Sequence, residues 1–170
     1  MFIQREKNNS TQNQGFTLVE LLLVIGIIAV LAVVVFVALD PAKRFADARD
    51  ARRTSNVETI LSAVHQYVID NKGSFPDTFS LNEEWMLGSS GNYCVNNTKA
   101  GEGGCNANNN SCLDLVTIPP YSLAKYLKTM PFDPKTGTTE ITQYSIMRND
   151  NGIVTIKACD AEGGNISVSR

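Results

Sequence analysis

The chain has 170 residues, long enough for one domain and short for two. Hydrophobic residues make up 43% and charged residues 19%, which excludes wholesale disorder. A net charge of −2 excludes the basic footprint of a nucleic-acid-binding protein. Those averages conceal an apolar run from Phe16 to Leu39 whose one charge is Glu20, and from Leu21 to Leu39 there is none. At about 1.5 Å per helical residue the uncharged part alone spans roughly 29 Å, the hydrocarbon thickness of a bilayer. A purely soluble protein is excluded as well.

Taken along the chain, residues 1–15 carry a net +1 and residues 16–39 a net −1. Residues 40–53 reach +2 through Lys43, Arg44, Arg49, Arg52 and Arg53, and the rest carries −4. Two basic residues precede the apolar run and five follow it closely. The positive-inside bias therefore places the C-terminal bulk in the cytoplasm. The cysteines argue the reverse. Cys94, Cys105, Cys112 and Cys159 are an even set in a Gly/Asn-rich setting, which reads as two disulfides formed outside the cell. Zinc is the rival use of four cysteines, but no C-x-x-C pair occurs and the single histidine, His65, lies far upstream.

The N-terminus decides between them. A secretory signal has a short apolar stretch and a small-x-small cleavage site, and neither is present. A polar leader ends instead at Gly15, followed by Phe16-Thr17-Leu18-Val19-Glu20-Leu21 and the long apolar run. This arrangement closely resembles the processing site of type IV prepilins and pseudopilins. The resemblance implies that a membrane prepilin peptidase cuts on the cytoplasmic side between Gly15 and Phe16 and methylates the new amine of Phe16. Gly15 suits the cut because it has no Cβ to obstruct the backbone. The apolar segment then stays as a membrane anchor, with the C-terminal part outside. A generic single-pass anchor explains the segment less well, since such anchors avoid acids in hydrocarbon.

Beyond the anchor, Asp40-Pro41 suits an N-cap and a first helical position, so the helix restarts or kinks there. Val57, Ile60, Leu61, Val64, Tyr67 and Val68 then recur with the spacing of an amphipathic helix, which Asn71-Lys72-Gly73 stops. Pro76, Pro119 and Pro120 punctuate a poorly patterned region, and Gly88 to Cys112 reads as a surface loop pinned by cysteines. Tyr121 to Lys128 predicts a short helix, broken at Met130-Pro131-Phe132-Asp133-Pro134. That last pattern, followed by a short sheet, also resembles the C-terminal region of many pilins. Ile141–Arg148 and Ile153–Cys159 are rich in β-formers around a hairpin signal at Asn151-Gly152, and Ile166–Ser169 predicts a third strand. The expected fold class is α+β: a long N-terminal helix, half transmembrane and half amphipathic, packed on a small C-terminal antiparallel sheet with disulfide-pinned loops. The expected organisation is a leader at 1–15, an anchor and filament-core helix at 16–39, its amphipathic continuation at 40–72, and an extracellular head at 73–170.

Catalytic chemistry is nearly absent from the sequence. His65 flanks the apolar face of the second helical stretch and reads as a packing or rim residue. Asp150, within Arg148-Asn149-Asp150-Asn151-Gly152, reads as turn chemistry because the alternating acids and distal glutamate of an EF-hand are missing. No cofactor or metal is expected. The resemblance leaves one option open, since some major pseudopilins bind calcium through acidic C-terminal loops, here Asp133, Asp160 and Glu162. Lys43 to Arg53 reads as a solvated or headgroup-facing helical stretch. Asn96, Asn109 and Asn165 stand in glycosylation sequons, unsurprising in so Asn-rich a chain. Four cysteines allow three pairings; the spacing favours Cys105–Cys112 as a local clip and Cys94–Cys159 as the tie from loop to sheet.

The resemblance implies a structural, non-enzymatic subunit that polymerises through its N-terminal helix into a pilus or pseudopilus. Its implied partners are other copies of itself, the prepilin peptidase, an inner-membrane assembly platform and, before assembly, the membrane. No nucleic acid is expected for such a subunit. Glu20 and the Phe16 amine form the expected assembly ion pair. The alternative is a minor tip protein whose head binds DNA, a surface or a secreted substrate. Tip proteins often lack the acid at this position, so Glu20 favours the filament body.

Overall fold

A computed structural model describes residues 15–75, 80–91, 94, 105–107, 112–117 and 122–170. Of the features expected from the sequence, nearly all of the leader, Pro76, Pro119, Pro120, Asn96 and Asn109 lie outside the described residues. The chain divides into two compact units, Met1–Pro41 and Ala42–Arg170.

The described part of the first unit is essentially one helix, α1, Leu18–Leu39. Its 22 residues span roughly 33 Å, enough to cross a bilayer. None of them is buried within the protein. Leu, Ile and Val side chains project all round it, so the helix has no single apolar face to lay on a core. A helix apolar on every side needs lipid or other helices around it. It ends at Asp40, whose φ of 35° is left-handed, a conformation that Asp tolerates better than most residues. Helical geometry resumes at Pro41, where the missing N–H costs nothing in a first turn.

In the second unit, α2 (Pro41–Asp70) lies against a sheet of four antiparallel strands in sequential order. These are β1 (Glu84–Met86), β2 (Tyr144–Arg148), β3 (Val154–Ala158) and β4 (Ile166–Ser169). The stripe Val57, Ile60, Leu61, Val64 and Tyr67 is buried, as its spacing predicts, and Val68 packs at its margin. Opposite it stands one cross-strand row, Trp85, Ile146, Ile156 and Val168, fixed by the pairing register. Leu87, Leu113, Leu115, Leu123 and Leu127 close the same core from the loops. Lys72 and Gly73, both at positive φ, end the helix, and the Gly73 N–H donates to the Val68 carbonyl at 2.8 Å.

Three elements differ from the sequence expectation. β1 is a strand in the poorly patterned stretch just ahead of Gly88, where the sequence predicts no element, because Glu-Trp-Met is too short to show alternation. The helix expected at Tyr121–Lys128 contracts, in its described part, to a 3-10 turn at Leu123–Lys125 with Ser122 as its N-cap. The β2–β3 connection is wider than a two-residue turn. Asn149 Oδ1 accepts from the N–H of Asn151 and of Ile153, and Gly152 sits at φ 80°.

The disulfide pairing also differs. Cys94 pairs with Cys112 and Cys105 with Cys159, each at a Cα separation of 5.1 Å, in place of the favoured Cys105–Cys112 and Cys94–Cys159. Tertiary placement overrides sequence proximity here. The Cys112 N–H bonds to the Ser90 carbonyl, and Leu113 next to it runs parallel to Leu87, beyond the end of β1. Cys105 sits over β2, 3.1 Å from Ser145 Oγ, within reach of Cys159 just past the end of β3. Met86, Cys94, Cys105, Ala107 and Cys159, with Cys112 and Ile141 against them, make a second small core.

Candidate functional site

Gly15, Phe16 and Thr17 precede α1 without regular structure, and all three are exposed. Among the described residues a Cβ placed on Gly15 meets nothing within 4 Å. Phe16 itself is 85% exposed. Thr17 is the N-cap, with extended backbone at φ −80° and ψ 151°. Its Oγ1 accepts from the Glu20 N–H at 3.2 Å, while Glu20 Oε2 accepts from the Thr17 N–H at 2.9 Å. Together they form a capping box, and the Thr17 hydroxyl adds a third bond to Oε2 at 2.9 Å. This role of Glu20 is not among the sequence expectations, although Thr17-x-x-Glu20 before an apolar run is its signature. The Glu20 carboxylate thus satisfies the Thr17 N–H and the Thr17 hydroxyl the Glu20 N–H, two amide groups otherwise left open at a helix start.

A second constellation lies in the head. Arg53, on α2, is fully buried, which corrects its reading as part of a solvated basic stretch. Its Nε and Nη2 donate to Asp133 Oδ2 and Oδ1 at 2.5 and 3.1 Å. Its Nη1 donates to Asp50 Oδ1 at 2.7 Å and to Glu162 Oε2 at 3.1 Å. Glu162 further accepts from Arg49 and Lys135, and Asp50 caps the N–H groups of Glu162 and Gly163. Burial pushes the Asp133 carboxyl up, but Arg53 and the N–H groups of Lys135 and Thr136 outweigh it, so its pKa lies below the usual 3.8. Arg49 and Lys135, ahead of Arg53, hold the Glu162 carboxyl far below its usual range. The network binds the Pro131–Gly137 loop and the turn before β4 to α2.

The other sequence candidates fall as follows. Asp133 and Glu162, considered as calcium ligands, are engaged by Arg53, Arg49 and Lys135, and Asp160 accepts from the Thr136 hydroxyl. Among the described residues no group of three or more His, Cys, Asp or Glu is arranged to hold a metal ion. His65 is half-buried at the rim of α2. Asp150 accepts from Asn82 Nδ2 at 2.8 Å, within the turn region. Asn165 is exposed just before β4.

Residues 10–36 match the prokaryotic N-terminal methylation motif. Comparison with curated proteins and with solved structures returns no match. Gly15, the capped Glu20 and the wholly exposed apolar helix all lie within or beside that matched stretch. The chain therefore carries, on α1, the N-terminal methylation motif typical of type IV pilins and pseudopilins, structural and non-enzymatic proteins, and in its second unit α2 packs against an antiparallel sheet.

Proposed function

We infer that the chain is a structural subunit of a type IV pilus or pseudopilus. It is cut between Gly15 and Phe16, methylated on the Phe16 amine, and polymerised through its N-terminal helix. The observation that carries this reading is α1 itself, matched by the motif yet without one buried residue. Such a surface suits lipid before assembly and the helices of neighbouring copies afterwards. In this reading residues 1–15 are the leader, 16–39 the anchor and later the filament core, 40–72 the continuing helix, and 73–170 the rest of a head outside the membrane. The positive-inside tally that opposes this topology counts Arg49 and Arg53, whose charges the folded head neutralises with Asp50, Asp133 and Glu162. Glu20 supports a position in the filament body over one at the tip.

Mass spectrometry of sheared surface filaments tests the reading. The expected product begins at Phe16 with a methylated amine and is abundant. An intact Met1 terminus in assembled filaments overturns the assignment, and trace abundance moves the chain to a tip role.

A further inference from the structure

The two disulfides interlace. Cys105 lies within the loop closed by Cys94–Cys112, and Cys112 lies within the loop closed by Cys105–Cys159. Closure of a flexible chain favours short loops, its probability falling with about the 3/2 power of length. The observed bonds close 18 and 54 residues, whereas Cys105 and Cys112 are seven apart and Cys94 and Cys105 eleven. Each of those shorter pairings takes one cysteine from each observed bond and so blocks both. The residues between Cys105 and Cys112 include no proline and no β-branched side chain to stiffen them against closure. On this weighting Cys105–Cys112 captures about half of first closures. It outpaces Cys94–Cys112 by about fourfold and Cys105–Cys159 by about twentyfold.

A bond formed this way must be reopened before folding completes. All four sulfurs join one small core, in which Cys94, Cys105 and Cys159 are 2–4% exposed. Once that core closes, Cys94, Cys105 and Cys159 are shielded from an external thiol and Cys112 alone stays partly exposed. We propose that the head is a substrate of a thiol–disulfide isomerase, a dithiol enzyme, and that a disulfide oxidant alone does not suffice. In the oxidation, each cysteine pair passes two electrons and two protons to a disulfide-bearing oxidant, which leaves as its dithiol. The rearrangement that follows consumes no oxidant. The isomerase thiolate attacks Cys112 Sγ, breaking Cys105–Cys112 and freeing the Cys105 thiolate. That thiolate attacks Cys159 Sγ of a Cys94–Cys159 bond, forming Cys105–Cys159 and freeing the Cys94 thiolate. Cys94 then attacks Cys112 Sγ in the mixed disulfide, forming Cys94–Cys112 and returning the enzyme thiolate. The inference uses the connectivity alone and stands apart from the filament reading.

The test is oxidative refolding of the full chain in detergent micelles, reduced and denatured, into oxidised glutathione with or without a protein disulfide isomerase. Acid-quenched, non-reducing peptide maps follow the pairing with time. Oxidant alone should accumulate Cys105–Cys112 first, and isomerase should speed the Cys94–Cys112/Cys105–Cys159 form by about fivefold or more. A Cys94→Ser/Cys112→Ser variant, with a single possible bond, should show no isomerase-dependent change of pairing once that bond has formed. Equal rates for the unmodified chain in the two arms overturn the proposal, as does equal isomerase dependence of the variant. A folded chain that retains Cys105–Cys112 as its final bond overturns it at the root.

Discussion

The guanidinium of Arg53 grips both carboxylate oxygens of Asp133 across 80 residues of sequence, and neither side chain has any exposed surface. Removing one member of a buried pair leaves the other uncompensated, which typically costs about 3–5 kcal/mol. Arg53→Met and Asp133→Asn should each destabilise the head on that scale. The double variant Arg53→Met/Asp133→Asn should lose less than the two singles together, because the interaction between the two side chains is lost only once. Trp85, the one tryptophan of the chain, packs against the main core and reports unfolding in urea by its fluorescence. Strict additivity of the two losses would show that the pair is not coupled.

The same network sets an acid limit on stability. Asp133 and Glu162 hold pKa values below their usual 3.8 and 4.5. Asp50 joins them: burial raises its pKa, but the N–H groups of Glu162 and Gly163 and the side chain of Arg53 bring it below 3.8. The folded head therefore binds fewer protons than the unfolded chain as pH falls through this range. Its stabilisation is fully present above the unfolded values and is lost as pH drops through the folded ones. The urea midpoint should stay nearly level from about pH 8 to about pH 5 and fall below about pH 4. In Asp133→Asn that acid slope should be shallower. A midpoint that climbs on acidification contradicts the assignment.

Gly137 sustains the loop that delivers Asp133. A Cβ there would stand 2.3 Å from the Asp133 nitrogen and 2.7 Å from the Thr142 oxygen, both backbone atoms with little freedom to retreat. The Asp133 N–H already donates to that Thr142 oxygen at 2.8 Å. Gly137→Ala should therefore cost about 1–3 kcal/mol, the usual range for overpacking. A control at Gly91, where among the described residues a Cβ meets nothing within 4 Å, should melt close to the unmodified protein. Near-equal melting temperatures for the two variants would mean that the Asp133 loop shifts freely.

What the sequence disclosed and what it hid follow from range. The Val57–Val68 stripe, the hairpin glycine and the anchor are local patterns, and each appears where its spacing places it. Arg53 reads locally as one basic residue among five, since the partners that bury it stand 80 and 109 residues away. The disulfide pairing was hidden for the same reason. Sequence distance favours Cys105–Cys112, while the sheet carries Cys105 to Cys159. β1 was missed because three residues give no period, and its strand character comes from pairing with β2. The role of Glu20 in the capping box was legible and local, but its place in a membrane anchor drew attention to its charge instead.

Glu20 offers the sharpest test of assembly. An acid near the start of a membrane helix is expensive, about 2.5–3.5 kcal/mol at full depth, and the anchor holds no basic residue to offset it. Both Thr17 bonds fall on Oε2, so among the described residues Oε1 is left for another donor. In the proposed reading, cleavage after Gly15 supplies one, because it turns the Phe16 amide into a cationic amine on every copy. The capping box holds the carboxylate, and in that same reading the amine of an adjoining copy registers on it within a low-dielectric core. Such a pair need not stabilise the filament more than an apolar substitute would, and register is its best-attested use. Glu20→Val should therefore leave membrane insertion and cleavage intact while abolishing filaments, although it makes the anchor more apolar. Glu20→Gln keeps a side-chain acceptor for the Thr17 N–H but lacks the charge, and it should fail as Glu20→Val does. Thr17→Val removes the hydroxyl alone and loses about 1 kcal/mol of helix capping, so it should still assemble at reduced yield. Immunoblots separate cleaved from uncleaved chain, and electron microscopy counts the filaments. Glu20→Val cells bearing filaments of normal number and length would show that the carboxylate serves the helix start and not the contact between copies.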